Sequence, residues 1–178
     1  MKNFDEIKNR IINVISINDK FKNHVYIVGG YVRDFIMNME PKDIDLVVDI
    51  NKGNIKFANS IKDMYPTVTT TPIKLGAYPI RQIQFTDLNE TIEIADTMKE
   101  IFPNKFSRQR KTIFATLEED IKRRDFTINS LLLDLTNNKI IDLVNGINDI
   151  KQGIIRCNSD VNPEEIFSAD PLRILRGI

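Results

Sequence analysis

Apolar residues recur at helical spacing from Asp5 to Ile17, where Ile7, Ile11, Val14 and Ile15 share one face. Asp19 to Asn23 links this segment to VYIV, a β-branched and aromatic run that reads as a strand. YVRDFIMNM returns to helical spacing through Val32, Phe35, Ile36 and Met39. DIDLVVD then alternates, with Ile44, Leu46 and Val48 on one side and Asp43, Asp45 and Val47 on the other, which is the period of a strand. NIKFANSIKDMY is helical and ends before Pro66. TVTTT, PIRQIQF and TIEIA are strands, with Asp87–Glu90 turning the chain between the last two. Residues 96–115 are polar and basic, contain Pro103 and show no clear period, so they predict a long loop. Thr116-Leu-Glu-Glu119 has the T-x-x-E form of a capping box and starts a short helix running into RRDF. TINSLLLDL and KIID are apolar segments joined by Thr136-Asn137-Asn138, a hairpin turn. Asn145 to Gly153 predicts a short helix closed by glycine, and Asn162-Pro163-Glu164-Glu165 opens another. Together these elements predict an α/β (α+β) fold, a mixed β-sheet with flanking helices covered on one side.

Composition narrows the setting. With 178 residues, 42% of them apolar, the chain can build a sizeable core in one domain, or in one domain and the start of another. It stops at Ile178 within an amphipathic pattern and without a cap, so a fragment lacking its next helices is expected. No apolar run approaches the ~18 residues a membrane span needs, and the N-terminus has no signal-peptide core. One cysteine, Cys157, excludes an intrachain disulfide and a cysteine-based metal cluster, and the cytoplasm is the expected compartment. The absence of net charge argues against electrostatic nucleic-acid binding by the chain as a whole. The basic residues are nevertheless uneven: Lys105, Arg108, Arg110 and Lys111 fall together, and Lys122, Arg123 and Arg124 form a second cluster. The single histidine, His24, precedes a strand and is assigned no role.

Two features between Val28 and Asp49 carry candidate chemistry. Gly29-Gly30 sits at a strand-to-helix turn, where glycine lets backbone N–H groups approach a ligand and the helix presents its positive dipole end to a phosphate. A purely structural turn is the alternative. The turn is neither a dinucleotide fingerprint nor a Walker A motif, since G-x-G-x-x-G and G-K-[ST] are absent. Asp43 and Asp45 follow on one face of a strand, about 7 Å apart. They repel each other and stand where strand propensity disfavours aspartate. A solvated edge-strand face is one reading. The other is a pair of oxygen ligands for Mg²⁺, which takes one or two protein carboxylates and completes its shell with water and substrate phosphates.

GGYVRD with KDIDLVV, LEEDIKRRDFTINSLLLDL and SADPLRILRGI stand in that order. In these three motifs, spanning Val28 to Ile178, the chain resembles the class II tRNA nucleotidyltransferase (CCA-adding enzyme) and bacterial poly(A) polymerase family. Tyr31, where a small residue is frequent, and A-D-P in place of the commoner E-D-P depart from the pattern. The resemblance implies a DNA polymerase β-superfamily nucleotidyltransferase head over residues 1–158 and the start of an all-helical neck over 159–178. It implies attack of an RNA 3′-hydroxyl on the α-phosphate of ATP or CTP, with release of pyrophosphate. The expected partners are tRNA or another RNA 3′ end, ATP and CTP, with Mg²⁺ as cofactor. CCA addition is the leading expectation. Poly(A), A-only or CC-only addition shares the same motifs, and a non-catalytic nucleotide- or RNA-binding module is the reading from another class.

The resemblance also implies roles. Asp43 and Asp45 would hold Mg²⁺, with Glu93 as a third carboxylate. In TIEIA, Glu93 faces away from Ile92 and Ile94; an ordinary exposed strand glutamate is the alternative. Gly29, Gly30 and Arg33 match the triphosphate contacts, although Arg33 could instead pair with Asp34 or Asp5. Arg124 matches the nucleotide-contacting arginine of RRDFT, while Arg123 is expected to be solvated and Asp125 to be a local cap. Asp170 and Arg173 lie three residues apart and point from one side of a first helical turn. Cytosine and adenine both offer an amino donor beside a ring-nitrogen acceptor, so aspartate and arginine together suit C and A and would be left unpaired by U and G. Asp170 before Pro171 is also a helix N-cap pattern. Arg176 matches a further nucleotide-binding arginine. Arg108, Arg110 and Lys111 are the candidate RNA contacts.

Overall fold

The computed structural model describes residues 3–75, 78–101, 111–158, 163, 164, 167 and 170–177. Helix α1 (Phe4–Ile17) buries Phe4, Ile7, Ile11, Val14 and Ile15, the periodic face expected of it. A 3-10 turn at Asp19–Phe21 leads into β1 (Val25–Val28), α2 (Gly30–Ile36), β2 (Asp45–Val48) and α3 (Gly53–Met64). Strands β3 (Val68–Leu75), β4 (Tyr78–Phe85) and β5 (Glu90–Asp96) follow, then β6 (Met98–Ile101) and β7 (Lys111–Phe114). The chain continues through α4 (Leu117–Lys122), a second 3-10 turn (Thr127–Asn129), β8 (Leu132–Asp134), β9 (Lys139–Ile141), α5 (Gly146–Gln152) and α6 (Leu172–Leu175).

The main sheet has the order β3-β4-β5-β2-β1-β8-β9. Only β2 and β5 run parallel, because α3, β3 and β4 intervene between them and return the chain in the same direction. The other neighbouring strands pair antiparallel, so the sheet is mixed as the pattern predicted. One face carries the main core: Ile27, Leu46, Val48, Ile83, Ile92, Ile94 and Leu133 pack against α1, α2 and α3. The opposite face holds a smaller cluster of Tyr26, Val28, Val47 and Leu132 under Ile121 of α4. Beyond that cluster the face is polar, and there the cleft opens.

Two expectations need correction. Within 96–115 the described residues do not form a simple loop, while 102–110 lie outside the described residues. Met98–Ile101 and Lys111–Phe114 pair antiparallel as a separate two-stranded ribbon. The ribbon buries little, with Ile101 at 43%, Ile113 at 42% and Phe114 at 41% exposure, so it leaves no alternating core pattern to read. Strand β2 begins at Asp45, and Asp43 precedes it, although the Ile44 carbonyl still accepts the Glu93 N–H at 3.3 Å. The capping box at Thr116–Glu119 is present in both directions, and Gly153 closes α5 at φ +65°. The helix expected from Asn162 falls partly outside the described residues; Pro163 and Glu164 are helical. Among the described residues no helix is long and apolar enough to cross a membrane.

Candidate active site

A cleft of about 650 Å³ opens on the polar face of the sheet. Its lining brings together Gly29, Gly30, Arg33, Asp43, Asp45, Glu93, Arg124, Asp170, Arg173 and Arg176, residues spread over nearly the whole sequence.

The turn after β1 forms one wall. Gly29 has φ +72° and ψ −135°, a region that only glycine enters without strain, and a Cβ there would meet nothing within 4 Å. The requirement for glycine is therefore conformational rather than steric, and Gly29 lines the cleft. Arg33, on the first turns of α2, donates through Nε and Nη2 to Asp34 Oδ1 at 2.8 and 2.6 Å, and through Nη1 to Asn129 Oδ1 at 2.7 Å. The pairing with Asp34 weighed from sequence is thus present, and it holds Arg33 in the cleft lining.

The floor is a single rung of the sheet. Val28 on β1, Asp45 on β2, Glu93 on β5 and Gln82 on β4 are register partners, so their side chains leave the same face. Asp43 lines the cleft beside them. Burial, then the negative charges of Asp43 and Glu93, push the Asp45 carboxyl up from 3.8 to about 6; Arg124 pulls the other way. A cation would relieve the part of this shift that the like charges of Asp43 and Glu93 contribute beside burial. Among the described residues no three His, Cys, Asp or Glu side chains converge as a preassembled metal cage. Asp43 and Asp45 could hold a divalent cation whose remaining positions are left to water and substrate oxygens.

Opposite the carboxylates stand two arginines held by one buried anion. Asp120 is fully buried. Its Oδ1 accepts from Arg123 Nη2 at 2.6 Å and from the Met98 N–H at 3.0 Å, and its Oδ2 accepts from Arg124 Nη2 at 2.8 Å. Burial alone would raise the Asp120 pKa, but Arg124 and Arg123 outweigh it and hold the carboxyl below its ordinary value. Arg123 also donates to the Met98 carbonyl at 2.8 Å and lies 5.2 Å from the Tyr78 ring centroid. It is therefore not solvated as expected from sequence; the ribbon strand β6 and Tyr78 cover it. Asp120 gave no sequence signal beyond its place on the helix that the capping box opens.

Asp170, Arg173 and Arg176 close the cleft. Asp170 Oδ1 accepts the Leu172 N–H at 3.2 Å ahead of α6, whose N-cap residue Pro171 has no side-chain cap, and its Oδ2 lies 3.8 Å from Arg173 Nε. Arg173 also reaches Glu100 Oε1 at 3.4 Å, and Glu100 accepts from the Tyr78 hydroxyl. Asp125 accepts the N–H of its neighbour Phe126 at 2.8 Å, although the 3-10 turn that follows carries no side-chain cap, and it also accepts from Arg176 Nη1 at 3.0 Å. Of the candidate RNA contacts, Lys111 begins β7 and is exposed, while Arg108 and Arg110 lie outside the described residues. Cys157 is half-buried, with its thiol pushed up chiefly by burial.

Residues 25–156 match the family model described as the poly A polymerase head domain. A CCA-adding enzyme of Ligilactobacillus salivarius (strain UCC118) is 35% identical over 154 residues, 86% of this chain and 35% of that protein. Poly(A) polymerase I of Salmonella typhi is 30% identical over 174 residues, 97% of this chain and 37% of that protein. The structure of a Thermotoga maritima CCA-adding enzyme complexed with tRNA-CCA superposes with a TM-score of 0.72 at 28% identity, covering 96% of this chain and 36% of that one. The chain thus spans about a third of the length of these relatives.

Proposed function

The chain belongs to the family of the poly(A) polymerase head domain, one of RNA nucleotidyltransferases that generally use a divalent metal, and on that premise we propose that it carries the catalytic head of an enzyme completing tRNA 3′ ends with C and A from CTP and ATP. The observation that carries the reading is the shared rung of Asp45 and Glu93, with Asp43 beside them, between the Gly29–Arg33 wall and the Asp170–Arg173 pair. Likeness to CCA-adding enzymes, one of them bound to tRNA, supports tRNA as the acceptor. The tRNA, the two nucleotides and a cytoplasmic setting are parts of this proposal, as is the division into a head over 1–158 and a neck from 159.

Asp43 and Asp45 would hold Mg²⁺, with Glu93 beside them. When bound, such a cation would supply charge to neutralise the phosphate and lower the pKa of an attacking 3′-hydroxyl. Glycines 29 and 30 let the backbone approach the triphosphate, and Arg33 faces it with a guanidinium already oriented by Asp34 and Asn129. Arg124, fixed by Asp120, supplies positive charge across from the carboxylates. The chemistry needs alignment and charge neutralisation rather than a covalent intermediate. Asp170 accepts from the amino group of C or A and Arg173 donates to the ring nitrogen. U and G leave both groups unpaired, at about 1–3 kcal/mol each.

Incubating the protein that carries this chain with tRNA ending before CCA, with each nucleotide in turn, and sequencing the 3′ ends tests the reading. Ordered addition of C, C and A is expected. The similarity to poly(A) polymerase I favours a second reading, in which only ATP is used and tails lengthen without limit on varied RNA.

A further inference from the structure

Two recognition elements far apart in the chain, Arg33 on α2 and Arg176 after α6, are joined by a continuous polar chain. Arg33 Nη1 donates to Asn129 Oδ1 at 2.7 Å, Asn129 Nδ2 donates to Asp125 Oδ1 at 3.3 Å, and Asp125 Oδ2 accepts from Arg176 Nη1 at 3.0 Å. A guanidinium can only donate and a carboxylate can only accept. The link between them must therefore offer an acceptor at one end and a donor at the other, which a primary amide does without charge. The orientation of the Asn129 amide is dictated by both neighbours.

The base under this chain is firm. Asn129 ends the 3-10 turn Thr127–Asn129, its N–H bonded to the Phe126 carbonyl at 3.0 Å. Thr127 of the same turn donates to the buried Asp149 at 2.7 Å. Asp125 is 3% exposed. The end of α6 rests on the same segment, since a Cβ at Gly177 would come within 3.0 Å of the Phe126 ring. Arg176 itself is largely exposed, but its partner Asp125 is buried, so the ion pair ties the end of α6 to that buried carboxylate.

We propose that Asn129 is a positioning residue of the nucleotide site, tying Arg33 on the triphosphate side to Asp125 and Arg176 on the base-reading side. The inference rests on the function proposed above. A nucleotide touches both ends of the cleft, and a fixed separation between them spares the cost of aligning them on binding.

The test uses extension of tRNA by CTP, ATP, UTP and GTP, inhibition by tripolyphosphate as a base-free probe, and the melting temperature. Asn129→Asp keeps an acceptor for Arg33 but sets a second carboxylate against Asp125. It is expected to leave tripolyphosphate inhibition within about twofold while reducing the preference for CTP and ATP over UTP and GTP about tenfold. Asn129→Ala loses both links and is expected to weaken tripolyphosphate and to raise KM for CTP and ATP about tenfold as well. If Asn129→Ala does not fold, the isosteric Asn129→Asp decides alone. Variants that melt earlier yet keep the wild-type nucleotide ratios and tripolyphosphate inhibition would overturn the inference and leave Asn129 a structural residue. Wild-type protein that transfers no nucleotide would overturn the proposed function, and this inference with it.

Discussion

Replacing Asp45 by asparagine removes a negative charge from the most crowded point of the cleft while keeping the side chain's shape. The carboxyl is pushed from 3.8 to about 6 by burial and by Asp43 and Glu93. A shift of about two pH units corresponds to about 3 kcal/mol at most. The cleft walls crowd the carboxyl but water still reaches the side chain, so solvent screening reduces this to about 1 kcal/mol. The folded chain holds this proton more tightly than the unfolded chain. The resulting stabilisation is complete below about 3.8 and is lost as pH rises through about 6, above which ionised Asp45 opposes folding. Asparagine cannot ionise. At pH near 7.5 without metal, Asp45→Asn should therefore melt about 2–4 °C above wild type. The gap should close as pH falls toward the unfolded-state value. Mg²⁺ should reverse the order, stabilising wild type by about 2.7 kcal/mol at a hundredfold excess over its Kd and the variant by much less. Nucleotide transfer by the variant should be abolished. Thermal melts across pH, with and without Mg²⁺, read all of this. A melting difference independent of pH would refute the electrostatic reasoning, and near wild-type turnover would refute the metal assignment.

Asp170→Asn keeps an acceptor for the Leu172 N–H but can turn an NH₂ toward a carbonyl of U or G, so melting should be unchanged while preference for CTP and ATP falls; retained preference in four-nucleotide kinetics would leave Asp170 with a local structural role alone. Asp120→Ala strands Arg123 and Arg124 beside each other without their buried anion and should cost about 3–5 kcal/mol, measured by denaturant unfolding. Neutralising Arg108, Arg110 and Lys111 together should weaken RNA binding and flatten its salt dependence, lowering the log–log slope by as much as roughly 2; an unchanged slope would remove them from the RNA path.

Local chemistry made much of this protein legible from sequence. The periodic face of α1, the alternation through Leu46 and Val48, the capping box at Thr116 and the glycine that ends α5 are each short-range consequences of side-chain spacing and backbone preference, and each reappears in the structure. The requirement for glycine at position 29 is equally local, since it comes from the backbone turn itself. The ribbon of β6 and β7 was illegible because cross-strand hydrogen bonds, rather than a buried face, define it. Arg123 looked solvated because its partners, Asp120 apart, come from elsewhere in the chain: the Met98 carbonyl on β6 and the Tyr78 ring on β4. Sequence could place Asp43 and Asp45 near each other and turn Glu93 away from a core. Only the parallel pairing of β2 with β5 sets Asp45 and Glu93 side by side, and that pairing depends on α3, β3 and β4 returning the chain across the sheet. A register between strands so distant in sequence is decided by which hydrophobic faces can be buried together, and no local pattern contains it.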